Sequence, residues 1–268
     1  MRFIIINILF SFSLTSYSQV KLKNSSEEMG IYGEVKKVSE RSYYVIIRND
    51  SILKGNGVKS DWAQDLDHHF DDTGNLITTI GYYQFENKSP DTTNYFYDES
   101  NLIINITGTD WNRKFNIKYE YNFSDPKNIV LTHYSKPYGR LESETVTNYN
   151  LKGNKIYSSS FCYYPSKQLC SKDSLVYNKK DQLIKHYHHR YNDSILRSTD
   201  SSLYNYNNYG NIIMHLYGSS EFDKGNTDSE AQWKYKYTYD ISHNWIQQIE
   251  YQSDTANYIR ERIIIYKE

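Results

Sequence analysis

One motif recurs seven times along the 268-residue chain and constrains its fold more than any other feature. Each copy consists of an aromatic residue, an Asp or Asn, a short polar turn, and an apolar residue that opens the next run. A recurrence every 24 to 33 residues indicates a repeat architecture. Polar residues inside the motif are therefore expected to serve the scaffold first. The copies begin at Phe70, Tyr97, Tyr121, Tyr149, Tyr177, Tyr206 and Tyr239.

The polar stretch of each copy predicts a tight turn. In the first copy Asp71 precedes Gly74 by three residues, which is the preference of a type I turn that closes on a residue with positive φ. The Asp or Asn side chain of such a turn bonds the turn's own backbone. Two copies carry Asp181 and His243 in place of the glycine, and both residue types tolerate positive φ.

The segments around each turn predict strands. Aromatic residues alternate with polar ones before the turn, as in Tyr235, Tyr237 and Tyr239, and this is the period of a strand with one aromatic face. After the turn Leu76 and Ile80 are four apart, a spacing that places both on one face of a regular strand. The chain contains 29 Tyr, a strand former, and its composition supports little helix. We predict an all-β protein, an antiparallel up-and-down meander of repeated hairpins forming one long twisted or curled sheet of about 14 to 17 strands.

The N-terminus has the parts of a secretory signal peptide. A positive start at Arg2 is followed by an apolar stretch too short to span a bilayer and by a small-residue site at Ser16 and Ser18. We predict that residues 1–18 are removed and that residues 19–268 form a single β-repeat domain. Because no second long apolar run follows, we expect a secreted or periplasmic protein with no stable membrane insertion.

The turn pattern resembles the YD repeat of RHS-type bacterial proteins. The residues that carry the resemblance run from Phe70 to Ile77, with Asn75 where those repeats have Arg, and the pattern recurs in register to about Ile249. The period here is longer than in typical YD repeats. RHS-type proteins wind such hairpins into a shell around a C-terminal toxin, whereas here the repeats continue to the last residues.

Few residues indicate chemistry. His186 and His188 share one face of a strand and could bind a metal through two imidazoles, but two ligands make an incomplete site. We therefore predict neither a metal nor a cofactor. A carboxylate pair for glycan hydrolysis could lie among four residues, and the sequence does not assign it. Those residues are Asp61, Asp65, Glu142 and Glu144.

The two cysteines, Cys162 and Cys170, flank a short loop between two predicted strands. An even number of cysteines in an exported protein favours a disulfide. Two free thiols on strands that do not face each other are the alternative.

Three functions stay open. The first is a non-catalytic exported module that binds an unknown protein or glycan, the second is an extracellular glycan-active hydrolase, and the third is an outer-membrane β-barrel. A net charge of -1 gives no basic face for nucleic acid. We expect the first, with binding through exposed tyrosine rings, because Tyr is favoured at interfaces. The candidate rings are Tyr83, Tyr138, Tyr164, Tyr191 and Tyr217.

Overall fold

A computed structural model describes residues 25–58, 65–83, 89–99, 102–110, 113–125, 128–135, 143–150, 152–163, 166–222 and 227–268. These residues form one short helix, α1 (Ser25–Glu28), and 17 strands of a single sheet. The predicted signal peptide lies outside them. The strands are β1 (Val35–Arg48), β2 (Ser51–Gly57), β3 (Asp65–Phe70), β4 (Leu76–Tyr82), β5 (Asp91–Tyr97), β6 (Ile103–Asp110), β7 (Arg113–Asp125), β8 (Asn128–Ser135), β9 (Ser143–Tyr149), β10 (Lys155–Cys162), β11 (Gln168–Tyr177), β12 (Leu183–Asn192), β13 (Ile195–Tyr206), β14 (Ile212–Glu221), β15 (Thr227–Tyr239), β16 (Trp245–Gln252) and β17 (Thr255–Tyr266).

The sheet is an antiparallel up-and-down meander, which confirms the predicted fold class. From β3 to β17 each strand pairs with the next along the chain. Strand β1 pairs with β17 on one edge, and its other edge pairs with both β2 and β3. Because β1 lies between the last strand and β3, the sheet must be curled rather than flat.

The apolar core lies where β1, β3 and β17 meet. Its buried members are Ile31, Val35, Val38 and Phe70, and Met29, Leu76, Ile264 and Tyr266 pack against them. Helix α1 lies at the turn end of the sheet, since the backbone N–H of Ser26 donates to the carbonyl of Gly74 at 3.1 Å. The N-terminal segment thus contributes to the packing that joins the two ends of the meander.

The predicted turn, closed by a residue with positive φ, is confirmed in the copies that begin at Phe70, Tyr149, Tyr177, Tyr206 and Tyr239, whereas β7 continues past Tyr121 to Asp125. Gly74, Gly153 and Gly210 have φ of 85°, 78° and 83°, and Asp181 and His243 take the same conformation at 59° and 65°.

The Asp or Asn side chain of each turn caps the backbone of its own turn, as predicted. Asp71 Oδ1 accepts the backbone N–H groups of Thr73 and Asn75 at 2.8 and 2.9 Å. Although partial burial acts to raise it, these hydrogen bonds hold the pKa of Asp71 below its ordinary value. The equivalent caps are Asp98, Asn150, Asn178, Asn207 and Asp240.

Glycine at the two substituted turn positions is expected to stabilise the fold. Asp181→Gly and His243→Gly each remove a Cβ from a left-handed conformation, which should add about 0.5 to 1 kcal/mol to the free energy of unfolding. Both gains are partly offset, because the carboxylate of Asp181 forms an exposed ion pair with Lys152 at 2.9 Å and the ring of His243 stacks on that of Tyr209 at 5.3 Å. Urea denaturation measures both, with Gly210→Ala as the converse variant that should destabilise. Loss of stability in both glycine variants would contradict the turn assignment.

A β-bulge follows six of the turns and corrects one sequence inference. Phe70 pairs with Leu76 and His69 pairs with Thr78, so Ile77 is skipped. Because of this extra residue, Leu76 shares the core face with Phe70 whereas Ile80 lies opposite Asp67, on the other face. The prediction that Leu76 and Ile80 share a face is therefore wrong. An isoleucine is the skipped residue in every case, namely Ile77, Ile104, Ile156, Ile184, Ile213 and Ile246.

Tyrosine hydroxyls tie neighbouring repeats together. Tyr97, Tyr177, Tyr206 and Tyr237 each donate to the carbonyl of the residue that opens the strand after the preceding turn, at 2.5 to 2.8 Å. Burial raises the pKa of Tyr206 and of Tyr237 to about 12, which keeps both hydroxyls protonated as donors. This recurring bond gives many of the tyrosines a structural role. The acceptors are Leu76, Lys155, Leu183 and Ile212.

Within the described residues, three hairpins at the end of the sheet opposite the repeat turns close through two-residue turns. The sequence pattern did not predict these turns. Both central residues have positive φ, as in a type I′ turn. The signal for them is an Asn-Asp, Asp-Ser or Ser-Asp pair between two apolar runs. The pairs are Asn49-Asp50, Asp193-Ser194 and Ser253-Asp254.

Cys162 and Cys170 are joined by a disulfide with a Cα–Cα distance of 5.9 Å. The bridge closes the connection between β10 and β11. Replacing both cysteines by Ser should cost about 2 to 3 kcal/mol on the chain-entropy model, because the bridge restricts the unfolded chain. The short closed loop keeps this value below that of a long one. Thiol titration of the denatured, unreduced protein checks the bridge, and chemical denaturation of the double variant checks its contribution. Two free thiols in that titration would exclude the bridge.

Candidate functional site

Three of the five predicted binding tyrosines lie within the described residues. Tyr138 and Tyr164 lie outside the described residues. Tyr83 is half-buried and donates a hydrogen bond to Asp91. Tyr191 is half-buried and lies 5.8 Å from the ammonium of Lys172, and Tyr217 is half-buried with its ring 6.4 Å from that of Trp233. All three described rings therefore already contact other parts of the sheet.

A groove on β13, β14 and β15 is the first candidate site. It has a volume of about 520 Å³ and is centred on two cross-strand rows. Gly218 pairs with Ser201 and Glu230 in one row, and Leu216 pairs with Leu203 and Gln232 in the other. The members of each strand are two residues apart, so both rows share a face. Tyr217, Ala231, Gln252 and Ser253 complete the lining.

The lack of a side chain at Gly218 leaves space for Ser201 in this groove. A Cβ built at this position would lie 3.1 Å from Ser201 Oγ. Around the gap, the apolar side chains of Leu203 and Leu216 adjoin the amides of Gln232 and Gln252. This mixture of an apolar floor with a few hydrogen-bonding groups is typical of small-molecule and oligosaccharide sites.

The two described carboxylates from the set considered for hydrolysis, Asp65 and Glu144, are separated in the sheet. Asp65 lies on β3, where its Oδ1 accepts the backbone N–H of Ser42 at 3.0 Å. Glu144 lies on β9, where Lys167 Nζ donates to it at 2.7 Å and Tyr163 donates a second hydrogen bond. Strands β3 and β9 are not neighbours. Asp61 and Glu142 lie outside the described residues.

A second candidate site is a triad on β11 and β12. Asp173 and His188 are cross-strand partners, and His186 is two residues before His188 on the same face. His186 Nε2 and His188 Nδ1 both lie 2.8 Å from Oδ1 of Asp173. The three ligand atoms lie within 4.8 Å of one another. Among the described residues, this is the one group of three His, Cys, Asp or Glu side chains placed closely enough to hold a metal ion.

The carboxylate of this triad is held in place from its other side. Ser158, which is 1% exposed, donates from Oγ to Asp173 Oδ2 at 2.8 Å. Lys155 Nζ lies 3.9 Å from the same oxygen. Partial burial acts to raise the pKa of Asp173, but the hydrogen bonds from the two histidines and Ser158 outweigh it and lower the pKa to about 2. Asp173 is therefore a carboxylate at neutral pH.

Sequence reasoning placed His186 and His188 on one face but did not find Asp173. The residue precedes His186 by 13 positions and faces it only because β11 and β12 pair in this register. Counting the strand pairs outward from the turn at Asn178, with the bulge at Ile184 included, would have placed Asp173 opposite His188. The groove around Gly218 had no sequence signal beyond a glycine inside a strand.

Comparison with known proteins gives a likeness in fold. No protein-family model matches the chain, and no curated protein matches its sequence. A porin-like protein from Bacteroides uniformis has a similar crystal structure, with a TM-score of 0.52, 10% identity, and coverage of 92% of this chain and 100% of the other. At that identity the likeness concerns the fold alone.

Two further structures are more distant. A porin-like protein from Bacteroides vulgatus has a TM-score of 0.44 at 14% identity, over 88% of this chain and 99% of the other. The Tc holotoxin pore of Photorhabdus luminescens has a TM-score of 0.28 at 13% identity, over 84% of this chain and 13% of the other. In the described part of this chain, no helix has the length and apolar character needed to cross a membrane.

Proposed function

We propose that this protein is an exported, non-catalytic binding module and that its groove around Gly218 takes a glycan. The groove itself carries the proposal, because it combines a concave shape with apolar and hydrogen-bonding side chains. A sugar ring offers C–H faces to Leu203 and Leu216 and hydroxyl groups to Gln232 and Gln252. The hairpins that build the groove follow the motif that resembles YD repeats.

The lining supports binding over hydrolysis. Glycoside hydrolysis ordinarily needs two carboxyl groups that flank the scissile bond. Among the described residues, Glu230 is the one carboxylate in the groove. Asp65 and Glu144 are on distant strands and have their own partners.

A glycan array on the mature protein tests the proposal. Gly218→Leu should abolish the signal because the new side chain fills the groove, and Gln232→Ala should weaken it by removing a hydrogen-bonding amide. Tyr191→Ser is the matched control, since Tyr191 lies on β12, outside the groove, and it should keep the signal. Far-UV circular dichroism checks that each variant folds. Binding that survives both groove variants, or glycan cleavage by the unmodified protein, would overturn the proposal.

A porin-like membrane protein is a second candidate function, and exposed apolar side chains favour it. Ile77, Ile104 and Ile213, which occupy equivalent bulge positions, are about two-fifths exposed. Ion pairs such as those of Asp67 with Lys37 and Arg41 argue for an aqueous face nearby. Detergent phase partitioning decides between the two. We expect the protein in the aqueous phase, and recovery in the detergent phase would favour the membrane protein.

A further inference from the structure

We propose that Asp173, His186 and His188 bind a divalent transition-metal ion of the Zn²⁺ type. Two imidazole nitrogens and one carboxylate oxygen converge from two paired strands. Imidazole suits Zn²⁺, Cu²⁺ and Ni²⁺, whereas Mg²⁺ and Ca²⁺ prefer oxygen ligands alone. Three protein ligands leave at least one coordination position for water or for a group on a ligand.

The geometry requires only small movements. Tetrahedral Zn²⁺ with bonds of about 2.1 Å places its ligand atoms about 3.4 Å apart. The two nitrogens now lie 2.8 Å from Asp173 Oδ1, so each nitrogen-to-oxygen distance must open by about 0.6 Å. His186 and His188 are half-buried, and rotation of their rings would supply this movement. Each ring must place its proton on the nitrogen that faces away from the metal.

A neighbouring side chain orients the carboxylate of the triad, as in known metal sites. Metal-binding carboxylates are usually oriented by an outer hydrogen bond. Ser158 provides that bond to Asp173 Oδ2, and it is nearly fully buried. Lys155 opposes a cation at this site, since its ammonium lies 3.9 Å from the same oxygen. It is partly exposed and can turn toward solvent.

Calorimetric titration of the mature protein with Zn²⁺, without a polyhistidine tag, tests the site. We expect one ion per chain, with no binding of Mg²⁺. His186→Gln and Asp173→Asn should each weaken Zn²⁺ binding by about tenfold or more, because each removes a direct ligand. Lys155→Met should tighten it by removing the opposing charge.

His189 provides the matched control. It adjoins His188 in sequence, lies on the opposite face of β12 and hydrogen-bonds Thr199 Oγ1 at 2.9 Å. His189→Gln should leave the affinity for Zn²⁺ unchanged, and thermal unfolding without metal confirms that every variant is folded. Unchanged affinity in the folded His186 and Asp173 variants would overturn the proposal. An equal loss in the His189 variant would also overturn it, because binding would then be distributed over surface histidines.

Discussion

Arg262→Met is expected to lower the free energy of unfolding by about 3 to 5 kcal/mol, because it leaves the carboxylate of Glu40 buried without its partner. Arg262 Nη2 lies 2.7 Å from Glu40 Oε1, and the two side chains are 8% and 11% exposed. The guanidinium carbon also lies 3.6 Å from the centre of the Trp245 ring. Burial lowers the pKa of Arg262, although Glu40 acts to raise it. The pair links β1 to β17, where the ends of the meander meet.

The double variant Glu40→Met with Arg262→Met separates the charge effect from the packing effect. Replacing both charges should recover most of the loss, because no unpaired charge stays buried. Lys54→Met is the matched control, since it removes the exposed ion pair with Glu261 that joins β2 to β17, and it should change little. Urea denaturation of the four proteins measures the effect. If the Arg262 variant is no less stable than the Lys54 variant, the buried pair does not hold the two ends together.

Asn244→Ala is expected to cost about 3 kcal/mol, because it removes three hydrogen bonds made by a buried side chain, each worth about 1 kcal/mol. Asn244 is 1% exposed, and its side-chain oxygen accepts the backbone N–H of Tyr32 at 2.7 Å. Its amide nitrogen donates to the carbonyl of Tyr32 and to the hydroxyl of Tyr266, each at 2.8 Å. One side chain thus fastens the N-terminal segment to the last repeat and to β17.

Asn154 is the matched control for this prediction, since it occupies the same position of another repeat. It is 5% exposed, but its side-chain nitrogen finds no hydrogen-bond partner in the described structure. Asn154→Ala should therefore cost about 1 kcal/mol or less. Thermal and chemical unfolding of both variants gives the comparison. Equal losses would show that the motif position itself, and not the attachment of Tyr32, sets the stability.

The repeat made much of the fold predictable. A turn with a capping Asp or Asn and a positive φ three residues later is a local structure, so its signal lies within a few neighbouring residues. Asp181 and His243 were predicted at positive φ for that reason, and they are found there. The strand faces were not predictable in the same way, because a bulge such as that at Ile77 changes the alternation by one residue.

The candidate sites depended on long-range pairing. His186 and His188 were visible as a pair, whereas Asp173 joins them only across two strands. The groove needs Gly218, Ser201 and Glu230 side by side from three strands. The large number of tyrosines is evident from the sequence. The hydrogen bonds that Tyr97 and Tyr177 donate to the preceding repeat depend on strand pairing and could not be predicted.

A repeated pentapeptide shows that the position of a chain reversal is set locally, whereas the two residues that form the turn depend on strand pairing. The residues Asn-Asp-Ser-Ile-Leu occur at 49–53 and again at 192–196, and both copies form a two-residue turn. In the first copy the turn is Asn49-Asp50 and Ser51 opens β2, whereas in the second copy the turn is Asp193-Ser194. Local chemistry thus determined that the chain reverses there. The pairing of the flanking strands decided which two residues form the turn, because a shift of one residue exchanges the two faces of a strand.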